Sequence, residues 1–393
     1  MKKLLRKTQS VCPVCLKVLP AYYLARGETV FMEKTCAQHG HFATPVWRGV
    51  AHFQNWWQKK TPDKPEFTQT VGDHHCPYDC GLCTDHRQRS CCVLLEITPN
   101  CDLGCPICYA GSTVGQSPEP SLEQITQWLH FLYEQAGPVN VQLSGGEPSM
   151  HTELLEIVRK VKEIGFPFVQ LNTNGLRLAK EPQLAKDLVA AGLDAVYLQF
   201  DGLDDESYRL LRGRPLLKEK LQCIENCQKA YLGVVLVPTI KGDWNKNQIG
   251  PIIRFALDHL PYIRGVHFQP MSFFGRYPQA PKEKERFLLT DLMDEIEKQT
   301  AGLIQKGSFT PSGCEHNACS FHGSYLLQKD GTVKANRKTE EDCCCCTAPK
   351  KGEAVEKAKK FVANRWQMPL EAVLAYEKGE LEDISNMESF LLY

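Results

Sequence analysis

Short apolar, β-rich runs alternate with longer amphipathic stretches through the middle of the chain. Six runs are candidate strands, namely VLLEIT (93–98), VNVQLS (139–144), PFVQLN (167–172), AVYLQF (195–200), GVVLVP (233–238) and GVHFQP (265–270). Helix-like stretches such as SLEQITQWLHFLYEQA, HTELLEIVRKVKEIG and EPQLAKDLVAAG lie between them. Near-continuous apolar strands that alternate with helices are typical of a parallel sheet, either covered on both faces or closed into a barrel. The pattern therefore predicts six βα units from about residue 92 to 270.

Charge and hydropathy exclude several classes of protein. The 393 residues contain 46 Lys and Arg against 46 Asp and Glu, so no charge excess favours nucleic acid or an anionic membrane as a partner. The basic start, MKKLLRKTQS, is followed by CPVC rather than by the apolar core of a signal peptide. No apolar run is long enough for a transmembrane helix. We expect a soluble, cytoplasmic protein.

Cysteine is the unusual residue, with 19 in the chain. An odd number in short-spaced groups fits metal ligation in a reducing compartment better than a secreted disulfide framework. Cys223 and Cys227 stand apart from these groups, in the helix-like stretch LLKEKLQCIENCQKAYL. We interpret these two as small buried residues on one helix face.

The N-terminal group predicts a site for one metal ion. Cys12, Cys15, Cys36 and His39 give the spacing C-x2-C-x20-C-x2-H. Each ligand pair fits a tight turn, as in a zinc-ribbon or rubredoxin-like module, and the metal is either zinc or iron. His41 is an alternative to His39. We expect a structural role, with electron transfer as the alternative if the metal is iron.

A cysteine triplet follows the first predicted strand. Cys101, Cys105 and Cys108 lie in the loop NCDLGCPICYAGS, where Gly104 and Pro106 impose an irregular path. This path would allow three thiolates to surround one metal core. Three cysteines are one fewer than a [4Fe-4S] cluster normally uses, so one iron would stay open. The alternative is a structural zinc site.

Small and polar residues follow the second, third and fourth predicted strands. They are Gly145, Gly146, Glu147, Asn172, Asn174 and Asp201. Because the carboxyl ends of parallel strands meet at one edge of the sheet, these residues should lie beside the cysteine triplet. Two glycines would let the backbone approach a ligand closely. The alternative for NTNG and for Asp201 with Gly202 is that they are only βα turns.

These motifs together resemble the radical S-adenosylmethionine (radical SAM) superfamily in its partial (βα)6 TIM-like barrel form. The resemblance covers about residues 90–275, and Ile107 departs from it, because the residue before the last cysteine is usually aromatic. It implies that Cys101, Cys105 and Cys108 hold a [4Fe-4S] cluster whose open iron binds S-adenosylmethionine (SAM). Reduction would cleave the sulfonium to a 5′-deoxyadenosyl radical, which abstracts hydrogen from the substrate.

The resemblance also implies how SAM is bound. Gly145, Gly146 and Glu147 would contact the methionine moiety, and Asn172 or Asn174 would contact the ribose. Asp201 belongs to the same cofactor-binding set. The electron would come from a reducing donor of the flavodoxin or ferredoxin type.

A second triplet with the same spacing, Cys76, Cys80 and Cys83, precedes the barrel without a GGEP partner. We interpret it as the site of an auxiliary [4Fe-4S] cluster. Its fourth ligand is open between Cys91 and Cys92. Because adjacent residues entering a strand point to opposite sides, at most one of these two faces the cluster.

The C-terminal cysteines suggest a second auxiliary cluster. Cys314 and Cys319 would supply two ligands, and one or two residues of the run Cys343–Cys346 would complete the set. Alternate members of that run, such as Cys343 and Cys345, would share a face in an extended chain, as would the other alternate pair. The alternative is a tail of reactive thiols.

We divide the chain into an N-terminal ribbon (1–60), an auxiliary-cluster segment (61–91), the partial barrel (92–300) and a cysteine-rich C-terminal region with a helical tail (301–393). This arrangement resembles the radical SAM subgroup of archaeal tetraether lipid synthase and of enzymes that methylate a pterin precursor. We expect carbon–carbon bond formation at an unactivated C–H of a lipid-like chain. The alternatives are radical methylation of a pterin-like molecule, a multi-cluster electron-transfer protein and a zinc-stabilised binding module.

The segment after the sixth strand bears on the substrate. It places Met271, Phe273, Phe274 and Tyr277 beside the expected active-site edge. An apolar lining there suits an acyl or isoprenoid chain, and Arg276 could meet a phosphate head group. Equally, Phe273 and Phe274 could simply seal the core.

Overall fold

The computed structural model describes most of the chain. The described residues are 2–58, 64–68, 70–71, 88–115, 118–279, 285–312, 315–328, 330–335, 353–368, 370–380 and 389–392, with single residues at 78, 84, 86 and 282. Several predicted ligands lie outside them, namely Cys76, Cys80, Cys83, Cys314, Cys343 and Cys345. The two auxiliary clusters therefore stay predictions.

Strands and helices alternate through the described residues. The strands are β1 (Lys3–Val11), β2 (Val18–Arg26), β3 (Thr29–Cys36), β4 (Gly40–Arg48), β5 (Cys92–Thr98), β6 (Asn140–Gly145), β7 (Val169–Thr173), β8 (Ala195–Gln199), β9 (Gly233–Val237), β10 (Thr239–Ile240), β11 (Ile263–Val266), β12 (Gln269–Pro270), β13 (Gly323–Leu327), β14 (Val333–Ala335) and β15 (Ser389–Leu392). The helices are α1 (Val50–Trp56), α2 (Leu122–Ala136), α3 (Leu154–Ile164), α4 (Leu176–Lys180), α5 (Pro182–Ala191), α6 (Asp205–Arg212), α7 (Leu217–Lys229), α8 (Ile249–Asp258), α9 (Leu289–Gln299), α10 (Glu353–Trp366) and α11 (Leu370–Glu377). None of the described helices has both the length and the apolar composition needed to cross a membrane.

The first four strands form a separate antiparallel sheet in the order β1-β2-β3-β4. Its last strand meets the rest of the molecule at α9, where the Arg48 N–H donates to the Thr290 hydroxyl at 3.0 Å and the Arg48 guanidinium pairs with Asp291. On the other side, the Trp56 indole donates to the Asn317 carbonyl at 2.6 Å. The ribbon is thus held against both the helical layer and the C-terminal region.

The large sheet has the strand order β14-β13-β15-β11-β9-β8-β7-β6-β5. The six predicted strands appear in it as β5, β6, β7, β8, β9 and β11, all parallel to their neighbours within that set. The prediction of an α/β fold built on parallel βα units is therefore confirmed. All their carboxyl ends lie at one edge, as expected for right-handed βα crossovers.

Amphipathic helices cover one face of this sheet. In α3, Leu154, Ile157, Val158 and Val161 are fully buried and repeat at the spacing of one helix face. Gly165 ends the helix with a positive φ of 108°, which a residue with a side chain rarely adopts. In α7, Cys223 and Cys227 are both fully buried, which confirms their structural interpretation.

The C-terminal region contributes strands to the sheet, which the sequence pattern did not predict. β15 lies parallel to β11 and antiparallel to β13, so residues from the end of the chain extend the sheet past the sixth strand. The predicted helical tail is present as α10 and α11. Trp366 at the end of α10 packs on the Tyr197 ring at 4.8 Å, on the sheet face opposite α3 and α7.

Candidate active site and metal centre

The loop after β5 brings the predicted reactive cysteines together. Cys105 is buried in a small apolar cluster with Leu103, Tyr208 and Leu216, and Cys101 and Cys108 pack against this cluster. Burial raises the pKa of the Cys101 thiol to about 12. A thiolate there needs nearby positive charge, which a bound metal cluster supplies. The donor set and its apolar surroundings therefore fit an iron–sulfur cluster with three protein ligands.

A buried ion pair lies against this loop. Arg212 on α6 donates two hydrogen bonds of 2.7 Å to Asp201, which is fully buried after β8. The same guanidinium makes a hydrogen-bonding contact with the Cys105 thiol. Burial by itself lowers the pKa of Arg212, but the adjacent Asp201 carboxylate raises it above its ordinary value, so the side chain is a permanent cation.

Asp201 therefore holds Arg212 in place. Besides the guanidinium, its carboxylate accepts the Thr239 N–H at 3.0 Å, and its carbonyl accepts the Asn245 side chain at 2.9 Å. These contacts join the ends of β8 and β10. The direct contact with SAM that the resemblance implies for Asp201 stays a prediction.

Arg276 fastens the cysteine loop from the other side. Its backbone exchanges two hydrogen bonds with Cys108, of 2.9 and 2.8 Å. Its guanidinium donates to the carbonyls of Cys105 at 2.7 Å, Ser112 at 3.1 Å and Gly111 at 3.3 Å. The expectation that Arg276 meets a phosphate head group is therefore wrong, because its donors are directed at the loop.

The two glycines of GGEP let the turn after β6 lie directly on the turn after β5. A Cβ added to Gly145 would lie 2.1 Å from the Thr98 carbonyl oxygen, and one added to Gly146 would lie 2.2 Å from that of Asn100. The Gly146 N–H donates to Thr98 at 2.7 Å. The glycines are thus required by the packing of two turns, and Asn100 directly precedes the first cysteine. Their contact with methionine stays a prediction.

Glu147 connects the turns after β6 and β7. Its carboxylate is buried and accepts the Thr173 hydroxyl at 2.6 Å, the Asn174 N–H at 2.6 Å and the Ser149 N–H at 3.0 Å. Burial raises its pKa, and the hydrogen bonds oppose that shift. The Asn174 side chain then donates to Asp102 at 2.7 Å, within the cysteine loop. Glu147 therefore positions the loop through Asn174.

Asn172 occupies a different environment from Asn174. On β7, its side chain contacts Gln142 of β6 at 3.3 Å and Gln170 at 3.1 Å. These amides form a polar row on the strands. The predicted ribose contact is untested for either asparagine, but Asn174 is already engaged by the loop while Asn172 is half-buried among amides.

The four predicted ribbon ligands converge in two adjacent turns. Cys12 and Cys15 lie between β1 and β2, Cys36 ends β3, and His39 lies before β4. Their donor atoms all lie within 4.8 Å of one another, with Cys15 and Cys36 sulfurs 3.9 Å apart. Tetrahedral zinc with Zn–S bonds near 2.3 Å separates its sulfur ligands by about 3.8 Å, so the set fits one zinc or iron ion.

His39 rather than His41 faces this set. The His39 Nδ1 lies 3.4 Å from the Cys36 sulfur and 3.6 Å from the Cys12 sulfur. The His41 ring contacts Glu33 and Thr35 instead, each at 3.3 Å. The Gln38 N–H and then His39 lower the pKa of the Cys36 thiol to about 6, which favours the thiolate that metals bind.

Comparison with protein families agrees with both sites. Residues 95–256 match the model of the radical SAM superfamily, and residues 4–48 match an HMPTM N-terminal zinc ribbon domain. Residues 95–256 form a radical SAM domain. Such domains belong to enzymes that use a [4Fe-4S] cluster and SAM, which favours an enzyme over the electron-transfer and binding-module alternatives.

Two relatives illustrate the similarity. The 7,8-dihydro-6-hydroxymethylpterin dimethyltransferase of Methanocaldococcus jannaschii is 38% identical over 309 residues, covering 78% of this chain and 61% of the relative. A GTP 3′,8-cyclase of Limosilactobacillus fermentum is 30% identical over 220 residues, covering 54% and 62%. The chain spans about three fifths of each relative. Among solved structures, Streptococcus suis SuiB aligns with a TM-score of 0.45 at 16% identity, covering 54% of this chain and 46% of that one.

The sequence analysis missed two buried cations of the radical SAM domain. Lys220 on α7 is fully buried and donates to the Asn174 carbonyl at 2.5 Å and to Gln199 at 3.2 Å. Burial lowers its pKa to about 8 although Asp201 opposes the shift. The sequence does contain a signal, because Lys220, Cys223 and Cys227 follow one another at spacings of three and four residues on the buried helix face. Arg212 likewise lies four residues after the buried Tyr208.

The two candidates for a fourth auxiliary ligand differ in environment. The Cys92 thiol is half-buried at the start of β5 and contacts the Gln142 side chain, and its partial burial raises its pKa to about 12. Cys91 precedes the strand and accepts the Asn140 N–H through its carbonyl at 3.3 Å. Alternation along the strand thus places Cys92 with the amide row. Cys319, the described member of the C-terminal pair, is exposed.

A cavity of about 440 Å³ lies at the carboxyl edge of the sheet, between the segments that follow β10 and β12. Its walls come from the turn after β10, the segment after β12 and the residues before α9, and they include Trp244, Met271, Phe273 and Phe287. Phe274, in contrast, is 65% exposed and lies edge-on to Tyr109. The alternative interpretation, in which Phe273 and Phe274 together seal the core, is therefore wrong.

Proposed function

We propose that this chain abstracts a hydrogen atom from a dihydropterin-like small molecule in the course of its methylation. The observation that carries the proposal is the 38% identity to a dihydropterin dimethyltransferase over 309 residues. This match extends far beyond residues 95–256 of the radical SAM domain. The shared sequence therefore includes more than the machinery that is common to the superfamily.

A lipid-like substrate, our first expectation from the sequence, has less support. The names of the two relatives refer to a dihydropterin and to GTP, and each of these molecules has a bicyclic ring with a 2-amino-4-oxopyrimidine half. Arg276 is bonded to the cysteine loop rather than directed toward a head group. Charged residues also line the cavity, and placing an acyl chain against them would cost desolvation.

The residues of the radical SAM domain would have the following roles. Cys101, Cys105 and Cys108 hold the cluster, which when bound supplies the electron that cleaves SAM to methionine and a 5′-deoxyadenosyl radical. Gly145 and Gly146 receive the methionine part, and Asn172 the ribose. With the cluster and SAM bound, the site would supply hydrogen-atom abstraction from a substrate C–H, with 5′-deoxyadenosine as the by-product. The protein supplies binding, orientation and exclusion of water.

The proposed protein also holds a metal ion in the ribbon and two auxiliary clusters. Cys12, Cys15, Cys36 and His39 hold one structural zinc or iron ion. One auxiliary cluster uses Cys76, Cys80 and Cys83, and a second uses Cys314 and Cys319 with residues such as Cys343 and Cys345. The electron donor is of the flavodoxin or ferredoxin type, and the location is cytoplasmic.

Deuterium transfer tests the proposed function. Anaerobically loaded protein is incubated with SAM, a reductant and either deuterated 7,8-dihydro-6-hydroxymethylpterin or a deuterated isoprenoid lipid. We expect deuterium in 5′-deoxyadenosine from the pterin and none from the lipid. Replacing Cys101, Cys105 and Cys108 with Ala should abolish 5′-deoxyadenosine formation, while Trp128→Leu on the exposed side of α2 should not. Transfer from the lipid alone would overturn the proposal.

A further inference from the structure

The cavity of about 440 Å³ has the dimensions of a small-molecule site. Ligand pockets in proteins typically enclose about 300–1,000 Å³. Aromatic side chains from three segments of the chain line it: Trp244 follows β10, Phe273 follows β12, and Phe287 precedes α9. Flat rings stack favourably on aromatic side chains, so these walls suit a planar ligand.

The cavity wall also carries polar groups. Lys241 forms an ion pair with Asp243, and its ammonium lies 4.4 Å from the centre of the Trp244 ring. Glu285 contributes a second carboxylate and is exposed. A carboxylate accepts two parallel N–H bonds in a bidentate geometry, which matches the adjacent amino and ring N–H groups of a 2-amino-4-oxopyrimidine.

Two short routes connect this cavity to the reactive loop. Phe273 of the wall is followed by Arg276, which bonds to Cys105, Cys108 and the loop beyond them. Gly275 between them has a φ of 62°, and a Cβ there would lie 2.1 Å from the Tyr109 carbonyl oxygen, so this segment is pressed against the loop. On the other side, Ile240 of the wall follows Thr239, which bonds to Asp201 and Arg212.

We propose that this cavity is the substrate site and that it takes a planar bicyclic nitrogen heterocycle with a 2-amino-4-oxopyrimidine edge. The ring lies among Trp244, Phe273 and Phe287, and a carboxylate of Asp243 or Glu285 accepts the two N–H groups. The inference rests on the proposed function, because the pterin supplies the C–H that reacts. Because the wall residue Phe273 lies three residues before Arg276, which bonds to the cysteine loop, a bound ring would lie on the side of the cavity that leads to the reactive centre.

Binding to variants of the wall tests the site. The holoprotein with SAM bound is titrated anaerobically with 7,8-dihydro-6-hydroxymethylpterin by calorimetry. Trp244→Leu and Phe273→Leu should each raise the Kd by roughly tenfold, since one aromatic contact contributes on the order of 1.4 kcal/mol. Trp128→Leu is the matched control, because Trp128 is 42% exposed on α2, away from the cavity, and its Kd should stay within about twofold.

A second measurement separates recognition of the edge from stacking. Asp243→Asn and Glu285→Gln keep the size of each side chain but replace one acceptor oxygen with a donor. One of the two should raise the Kd for the pterin by at least about tenfold and leave the Kd for a deamino-pterin, which lacks the 2-amino group, nearly unchanged. If neither does so, the edge assignment is wrong.

The outcomes distinguish this inference from the proposed function. If the wild-type protein transfers deuterium from the pterin but Trp244→Leu and Phe273→Leu bind it as tightly as wild type, the cavity is not the substrate site, although the function stands. If the wild-type protein neither binds nor reacts with the pterin, both fall together. Iron content equal to wild type in each variant shows that a raised Kd does not come from unfolding or loss of the cluster.

Discussion

The carboxylate of Glu147 accepts the backbone N–H of Asn174 at 2.6 Å and thereby joins the turns that follow β6 and β7. Because Asn174 in turn donates to Asp102, this contact fixes the position of the cysteine loop relative to two strands. The Glu147 carboxylate is therefore an internal connection of the fold, and its contact with the methionine part of SAM stays a prediction.

The first prediction concerns that connection. In Glu147→Gln, an amide NH₂ replaces either the oxygen that accepts the Asn174 N–H or the oxygen that accepts the Thr173 hydroxyl and the Ser149 N–H, so at least one buried donor loses its partner. We expect destabilisation of about 1–3 kcal/mol and a higher Kd for SAM. Equilibrium dialysis with SAM measures the second effect, and Glu163→Gln on the exposed face of α3 serves as the control. An unchanged Kd for SAM would contradict the positioning role.

Gly146→Ala tests the packing of the two turns. The new Cβ would lie 2.2 Å from the Asn100 carbonyl oxygen, so the backbone before Cys101 must move. We expect a loss of about 1–3 kcal/mol in unfolding free energy and reduced cleavage of SAM. Gly307→Ala is the matched control, because an added Cβ there meets nothing within 4 Å and should change stability by less than about 0.5 kcal/mol. Equal behaviour of the two variants would exclude this role for Gly146.

Arg276→Ala should loosen the cysteine loop. It removes three hydrogen bonds from a charged donor to backbone carbonyls, each worth more than 1 kcal/mol as a rough figure. We expect the reactive cluster to lose iron to a chelator at least about tenfold faster than in wild type. The loss is followed by the absorbance of released iron. Arg254→Ala, which removes a single bond to the Gln299 carbonyl on the surface, should retain the wild-type rate.

The two ribbon histidines provide a paired test of the metal site. His39→Ala should lower the metal content of the N-terminal site and the thermal midpoint of the ribbon, because one of four ligands is lost. His41→Ala removes only a half-exposed contact to Glu33 and should retain the metal. Elemental analysis of zinc and iron per chain measures both. If His41→Ala loses the metal instead, the ligand assignment is wrong.

Lys220 should give the protein a distinctive dependence on pH. Burial lowers its pKa to about 8, whereas an unfolded chain holds a lysine pKa of about 10.4. Between these values the unfolded state binds more protons at this residue, so the free energy of unfolding rises with pH. The thermal midpoint of wild type minus that of Lys220→Met should therefore increase from pH 8 to 10. A difference that is flat or falls over this range would show that the pKa of Lys220 is not lowered in the folded state.

The parts of the fold that the sequence predicted are those with a local periodic signal. The run at 195–200 is nearly continuously apolar and forms β8, and the C-x3-C-x2-C and GGEP motifs meet at one edge because parallel strands place them there. β15 escaped prediction because a strand of four residues, three of them apolar, carries no signal apart from its partners β11 and β13. Arg276 was assigned to a substrate because its real partners in the loop near Cys105 are distant in sequence, and no periodicity reports such a contact.

Buried charge was the other source of error. Hydrophobic patterning treats Lys220 and Arg212 as polar surface positions, whereas each lies on the inward side of its helix and bonds to groups at the strand ends. Asp201 was predicted to touch the cofactor, which stays a prediction. The pattern did not predict its ion pair with Arg212, which ends α6. A charged residue among apolar neighbours on one helix face is the sequence signal for such a pair.

The place of β15 in the sheet has a consequence for how the protein is made. β15 pairs with β11, yet α9, α10 and α11 all lie between them in the chain. During synthesis, the growing sheet therefore waits with the backbone groups of β11 exposed until a segment that leaves the ribosome late can dock. Such an open edge attracts other unfinished chains, and pairing across a long separation is slow. Cold, slow expression with chaperones present should therefore increase the yield of protein that is competent to receive its iron.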